Sequence, residues 1–277
     1  MNGPDLHDPD AGRAVARWMA VTLREITAPG GPVTIIGEAP MPERVRDAHG
    51  AVHSGVLTAI ADVAGGIACG LASLPRWIVS TDLMVSRLRT TVVGPVHVRA
   101  EVVRVGRNAA VARVALGDAG AADAPLLTGA LTTSLLVPAG GPPDHARPFT
   151  MAPPPAGPDP LPGLAAFFRL RSVADGIELD LVDELRNPWG ILHGGATAVL
   201  VAEAAEHAVR DHHDDGVPRS AGDTVLHYLR PARIGPVVAT GHVLGERLDG
   251  TLVTVSLRDL GDGSRTTAEA VVTVRPH

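Results

Sequence analysis

Residues 187–203 read NPWGILHGGATAVLVAE, and residues 47–63 read DAHGAVHSGVLTAIADV. In each stretch a glycine-bearing turn and a histidine lead straight into an Ala-rich run whose apolar spacing suits a long, buried helix. The histidines, His53 and His193, lie 140 positions apart. Further on, DLMVSRLRTTVVGPV from Asp82 and DTVLHYLRPARIGPV from Asp223 align at an offset of 141, through Arg89 and Arg230 and the Gly94-Pro95 and Gly235-Pro236 pairs. One inserted residue accounts for the shift. Agreement of several blocks at one offset marks an internal duplication.

Around these blocks both halves follow one order. Alternating or β-branched runs come after each helix, at 78–88, 96–105, 109–116 and 126–137 in the first half and at 223–230, 236–245, 251–258 and 266–275 in the second. Short turns such as Gly106-Arg107-Asn108 and Asp249-Gly250 join them, which predicts antiparallel meanders. A further strand is expected before each helix, at 32–37 and 176–182, and an amphipathic helix at 11–26 extends the first half. Between the halves, ten prolines and four glycines crowd residues 138–163 without apolar periodicity, which reads as an extended linker. The expected organisation is a first unit over 1–138, a linker over 139–163 and a second unit over 164–277. Each unit is α+β, one long helix wrapped by an antiparallel sheet.

Composition narrows the function. The net charge of −6 argues against nucleic acid as the main partner, which would need a clustered basic surface, and the 24 basic residues are all arginine. Cys69 is the only cysteine, which excludes an intramolecular disulfide and a multi-cysteine metal site. The acidic start, MNGPDLHDPD, does not read as a leader, and no run reads as a membrane span, so no membrane partner and a cytoplasmic location are expected. Aromatics make up only 3% of the chain, so the core must be built from Ala, Val and Leu and each large ring needs an explanation.

Two pieces carry possible chemistry. Asn187, Gly190, His193, Gly194 and Gly195 form N-x-x-G-x-x-H-G-G at a helix start, where backbone N–H groups without intrahelical acceptors and the positive dipole end suit an oxyanion. A tight turn with a histidine cap is the plainer reading. In the first half, Asp62 stands in the apolar stretch LTAIADVAGGIA, nine residues after His53. A carboxylate there is costly unless paired or functional. Nine helical residues span about 13.5 Å and two and a half turns, so His53 and Asp62 point apart. The acid of one half therefore needs the loop of the other, as a pseudo-twofold pairing of antiparallel helices would provide.

These spaced residues resemble the hotdog-fold acyl-CoA thioesterases, in particular the branch typified by the phenylacetate-pathway thioesterases, as a tandem double hotdog. The resemblance covers the chain apart from the linker and the N-terminus. It implies hydrolysis of an acyl-CoA or related thioester to acid and thiol at a site shared between units. Residue by residue, Asn187, His193, Gly194 and Gly195 match the family's loop and Asp62 matches its acid. It implies no metal and no cofactor beyond the coenzyme A of the substrate. It also implies a homo-oligomer, a dimer of tandem chains.

The departures from that pattern fall together. The second copy has Ala202 at the acid position, with Glu203 displaced by about 100° around the helix, and the first loop has Asp47 and Ser54 where Asn187 and Gly194 stand. One competent site is expected, and one degenerate site comprising Asp47, His53, Ser54, Gly55 and Glu203. The rival is a non-catalytic acyl-CoA-binding or scaffold protein that keeps the motif by ancestry. Hydratase chemistry is disfavoured, because Asn187-Pro188 is only a fragment of D-x-N-P-x-H. Trp189 is a candidate for the acyl or pantetheine channel, with loop packing as the alternative. Arg87, Arg89, Arg230 and Arg233, near strand ends, are candidates for nucleotide phosphates or ordinary surface arginines. Glu203, Glu206 and His207 read as a solvated helix face, residues 211–215 (DHHDD) as a solvated acidic turn, and Cys69 as a core residue.

Overall fold

Helix α1 (Ala14–Trp18), strands β1 (Thr22–Glu25) and β2 (Thr34–Ala39), helix α2 (Ser54–Ser73), and strands β3 (Trp77–Arg87), β4 (Val96–Val105), β5 (Ala109–Asp118) and β6 (Ala124–Leu136) form the first unit of a computed structural model. It describes residues 13–47, 49–90, 92–137, 148–152, 161–174 and 176–276. After β7 (Thr150–Met151), the second unit repeats the order: α3 (Leu164–Phe167), β8 (Leu170–Val173), β9 (Gly176–Leu179), α4 (Gly194–His213), β10 (Arg219–Tyr228), β11 (Val237–Arg247), β12 (Gly250–Asp259) and β13 (Arg265–Pro276). The architecture is the expected tandem double hotdog.

All thirteen strands form one antiparallel sheet in the order β7-β1-β2-β4-β5-β6-β3-β10-β13-β12-β11-β9-β8. Leaving out β7, the order is the same read inward from either end, so a pseudo-twofold axis passes between β3 and β10. There Val85 faces Thr224 and Asp82 faces His227. Alternation of buried and exposed positions along β4 and β5 turns Val96, Val98, Ala100, Ala110, Ala112 and Val114 inward to the helix, as a sheet with one covered face requires.

Small residues let the two central helices touch. A Cβ on Gly55 would lie 2.7 Å from the Val199 Cα, and one on Gly195 would lie 3.0 Å from the Ala59 Cβ. Contacts of 55 with 199 and of 62 with 194 run in opposite senses, so α2 and α4 are antiparallel. Gly65 meets Leu131 and Val114 of the sheet at similarly short range, a close approach that Gly66 and Gly70 do not share. Helix α2 is long and apolar enough to cross a membrane by composition, contrary to the sequence expectation, but 78% of its most apolar window is buried inside the fold. Cys69 is buried in that core, as expected.

The amphipathic helix expected at 11–26 is corrected. Only Ala14–Trp18 is helical, and residues 11 and 12 lie outside the described residues. Ala20 takes a positive φ of 55°, which ends the helix, and β1 then pairs with β2 on one side and with β7 on the other. Strand pairing and burial of Val21 and Leu23 outweigh helix propensity here. Much of the linker, residues 138–147 and 153–160, lies outside the described residues, while Thr150 and Met151 within it extend the sheet. Trp18 stacks on Phe167, meets Phe168 edge-on and donates its Nε1–H to the Pro162 carbonyl at 2.8 Å, so three of the scarce aromatic rings meet at α1.

Candidate functional site

The two histidine loops are built alike. The Asn187 Oδ1 accepts from the N–H groups of Trp189 and Ile191 at 2.9 and 3.4 Å, and the Asp47 Oδ1 accepts from His49 and Ala51 at 2.8 and 3.0 Å. Either side chain closes the same Asx-type turn, so the Asn-to-Asp difference does not alter the loop. Arg186 and Arg46, at the same offset, tie each loop to neighbouring carbonyls, those of Gly190 and Arg233 in one and of Gly50 and Val92 in the other. Each histidine then caps its helix: the His193 Nδ1 accepts from Gly195 N–H at 2.9 Å and the His53 Nδ1 from Gly55 N–H at 3.2 Å.

Across the unit boundary, Asp62 projects from the middle of α2 onto the first residue of α4. Its Oδ2 and Oδ1 lie 2.5 and 2.8 Å from where a Cβ on Gly194 would stand, so only glycine admits the carboxylate. The Ser80 hydroxyl donates to Asp62 Oδ1 at 3.0 Å. Tyr228, from β10 of the other unit, reaches the same oxygen at 3.4 Å and the Gly194 carbonyl at 3.2 Å, and Gly195 N–H also bonds the carboxylate. Burial, at 5% exposure, pushes the Asp62 carboxyl up to about 6, and these three hydrogen bonds hold it from rising further. Tyr228, raised well above its ordinary value by burial and by the Asp62 charge, stays protonated and has one proton to share between its two acceptors.

Burial lowers the His193 imidazole to about 4, so the ring is neutral near pH 7. With Nδ1 accepting, its proton is on Nε2, a neutral donor. The Gly194 N–H, at the first position of the 20-residue α4, has no acceptor among the described residues. A carboxylate that titrates near neutrality thus meets a helix-end N–H at the Asp62–Gly194 contact, with a neutral imidazole capping the same helix.

The symmetry-related place keeps the histidine cap but differs at the positions of Asp62, Gly194 and Tyr228. Ala202 stands where the acid would be, with its Cβ against Gly55. Ser54, in place of Gly194, turns its hydroxyl to Glu206 Oε1 at 2.8 Å. Arg87 stands where Tyr228 stands, 141 positions earlier. His53 Nε2 lies 3.1 Å from Glu203 and 3.8 Å from Glu206, and Glu206 also accepts from Ala221 N–H. Burial alone would lower the His53 imidazole, but the two carboxylates outweigh it and the net direction is up; Glu203, for the same pairing, goes down against its own desolvation. Glu203 is therefore spent on His53. The solvated-face reading of Glu203 and Glu206 is corrected: their side chains are 25% and 16% exposed, because the helix pairing covers that face.

Arg87 is corrected too. It is 5% exposed and donates to Ser220 Oγ and to the carbonyls of Ala221, Arg89 and Thr90, so it binds the strands together and is no surface cation. Arg89, Arg230 and Arg233 are exposed, and the Arg89 and Arg230 side chains form no ion pair among the described residues. Trp189 packs on Trp77 with ring centroids 3.5 Å apart and donates to the Ile78 carbonyl at 3.3 Å, which seats the 187–193 loop on β3 of the other unit. Sequence reasoning missed Ser80 and Tyr228 as site residues and placed Arg87 and Glu206 at the surface. Comparing the two copies column by column carried a signal for one pair: Tyr228, the only tyrosine, aligns with Arg87, beside the Asp62 and Ala202 difference.

Comparisons with known proteins agree with this architecture. A family model described as the thioesterase superfamily matches residues 49–121 and 190–263, together more than half of the chain. No curated protein matches by sequence. Among solved structures, the tesB protein of Mycobacterium avium subspecies paratuberculosis superposes with a TM-score of 0.62 at 11% identity, covering 97% of this chain and 99% of that one. The acyl-CoA thioesterase II TesB2 of Mycobacterium marinum gives 0.57 at 12% identity over 95% and 97%. A 12:0-ACP thioesterase of Umbellularia californica gives 0.58 at 11% identity over 88% and 94%. At these identities the likeness is one of fold.

Proposed function

Because the chain belongs to the thioesterase superfamily, we propose that it hydrolyses an acyl-CoA thioester at one composite site, formed by Asp62 of the first unit and the 187–195 loop of the second. The observation that carries this reading is the seating of the buried, partly protonatable Asp62 carboxylate on Gly194 at the start of α4. Its partner site has lost the acid and filled the space with Ser54 and a His53–Glu203 pair.

In this mechanism the thioester carbonyl oxygen accepts from Gly194 N–H and His193 Nε2–H, which strengthen their hold as negative charge develops on it. Either Asp62 takes a proton from a water that attacks the carbonyl carbon, or the carboxylate attacks that carbon itself to give a mixed anhydride that water then hydrolyses; in both routes the C–S bond breaks and the thiolate leaves to be protonated by solvent. Single-turnover hydrolysis in oxygen-18 water tests for the anhydride, since water opening it at the Asp62 carbonyl leaves the label on Asp62 and returns unlabelled acid on the first turnover, whereas general-base attack by water labels the acid. Asn187 serves by shaping the loop, and Trp189 by seating it. Arg89 and Arg230 are the candidates for coenzyme A phosphates, because their guanidinium groups are exposed and uncommitted. A dimer of tandem chains would cover Met84 and Val271, which are 55% and 40% exposed on the outer sheet face.

The test is thiol release from short, medium, long and aryl acyl-CoAs. Asp62→Asn is expected to cut kcat by about 10²–10⁴-fold and Glu203→Gln to leave it unchanged. Turnover surviving in Asp62→Asn, or tight acyl-CoA binding with no turnover in the unaltered protein, would overturn the proposal in favour of a binding protein.

A further inference from the structure

The last turn of α4 carries His212 and His213, and the fold brings both to Glu246 on β11. The Glu246 Oε1 lies 3.6 Å from the His212 Nε2 and 3.3 Å from the His213 Nε2, and the three ligand-type atoms all fall within 4.8 Å of one another. From this convergence we infer a binding site for a divalent transition-metal ion of the zinc type, with His212, His213 and Glu246 as ligands and a fourth position open to water.

Geometry supports the assignment. Zinc bonds nitrogen and oxygen at about 2.0–2.1 Å, so neighbouring ligand atoms of a tetrahedral site stand about 3.3–3.4 Å apart. Two of the three edges already have nearly that length. The third closes by rotation of imidazoles at a helix end, where His212 and His213 are 49% and 24% exposed and an ion has direct access. The carboxylate is also held in place. Thr251, 2% exposed on β12, donates toward both Glu246 oxygens at 3.2 and 3.0 Å and lies 3.1 Å from His213 Nε2. Such outer partners orient metal ligands.

The charge around the cluster is favourable as well. Asp211 and Asp214 flank the two histidines, and the C-terminal end of a helix dipole attracts cations. Duplication supplies an internal control. The positions equivalent to His212, His213, Glu246 and Thr251 are Ala72, Ser73, Val105 and Ala110, so the fold does not require imidazole or carboxylate groups there and the set is present only in the second copy. His97 offers a contrast: its Nδ1 faces Asp123 and its Nε2 faces Glu38, so its partners diverge and enclose no ion. The site is at the far end of α4 from Gly194, about 27 Å along the helix, and does not depend on the thioesterase reading. Its ion would tie the end of α4 to the β11–β12 hairpin.

Calorimetric titration of the full chain with zinc chloride, in a non-chelating buffer, tests it. One zinc per chain is expected, with His212→Ala and His213→Ala each weakening binding by more than about 10-fold, since even outer partners cost 10–100-fold. Tm should rise with added zinc, return with EDTA, and not respond to zinc in the double variant. Cobalt(II) in place of zinc should give visible ligand-field absorption that the double variant lacks. Because His213 is 24% exposed and bonds Thr251, each variant is compared by the zinc-dependent rise in Tm over its own metal-free value. Absence of zinc binding, or binding undiminished in the double variant, overturns the inference.

Discussion

Replacing Asp62 with asparagine should stabilise the protein above pH 6 while it abolishes turnover. The reasoning starts from the buried carboxyl, whose value is raised from 3.8 to about 6. Ionising it in the fold therefore costs more than ionising it in the unfolded chain. A group raised in this way contributes full stability below its unfolded value and loses it as pH climbs through its folded value. At 1.36 kcal/mol for each pH unit, the shift is equivalent to about 3 kcal/mol at pH 7, of which about 2 develops between pH 4 and pH 7. Asparagine escapes this penalty. Its amide nitrogen must, however, occupy one carboxylate oxygen position, where Gly195 N–H is a donor, and one mispaired contact costs about 1–3 kcal/mol independently of pH. The net gain at pH 7 is thus small, but its pH dependence is not. Urea denaturation of both proteins at several pH values from 4 to 8 gives the difference directly. It should grow by about 2 kcal/mol across that range in favour of the variant. A difference flat to within about 0.5 kcal/mol would refute the claim that Asp62 is held partly protonated by burial.

Three further outcomes follow from the same geometry. The pH profile of kcat/KM should have an acidic limb near 6, and Ser80→Ala, which removes a hydrogen bond to the charged form, should move it upward by about 1 unit while rates at pH 9 stay within twofold; an unmoved limb would assign Ser80 no part in tuning the acid. Gly194→Ser places a Cβ 2.5 Å from Asp62 Oδ2, so thiol release should fall by more than about 100-fold, with the carboxylate forced off the helix end; retained turnover would mean that this contact is not where the chemistry occurs. Glu203→Gln should destabilise most in the window above the lowered Glu203 value and below the raised His53 value, where both partners are charged, with the loss fading as pH rises through the His53 value; equal destabilisation at pH 6 and pH 9, measured by denaturation, would contradict the pairing.

Reading the duplication allowed the long helices, the meanders and the composite pairing of Asp62 with the second loop to be anticipated, because periodicity and repeat offset are local properties of a chain. The elements that escaped were those decided by distant partners. At 11–26 the apolar spacing suits a helix, yet β1 forms because β2 and β7 pair with it from 10 and 126 residues or more away. Arg87 and Glu206 carry charges that a sequence reading sends to the surface, and each is covered only because the opposite unit packs over it.

By itself, the sequence determined that there are two copies, that each is a helix in an antiparallel sheet, and that the acid and the glycine loop survive together in only one pairing. Tertiary structure alone decided how the leftover charges are used. Once β3 and β10 join and α2 crosses α4, Tyr228 is set against Asp62 in one site and Arg87 beside Glu206 in the other. Side-chain identity fixes what a residue can exchange, a proton or a hydrogen bond. Burial and the partner across the interface fix whether it does so near pH 7, and those are properties of the packed pair of units.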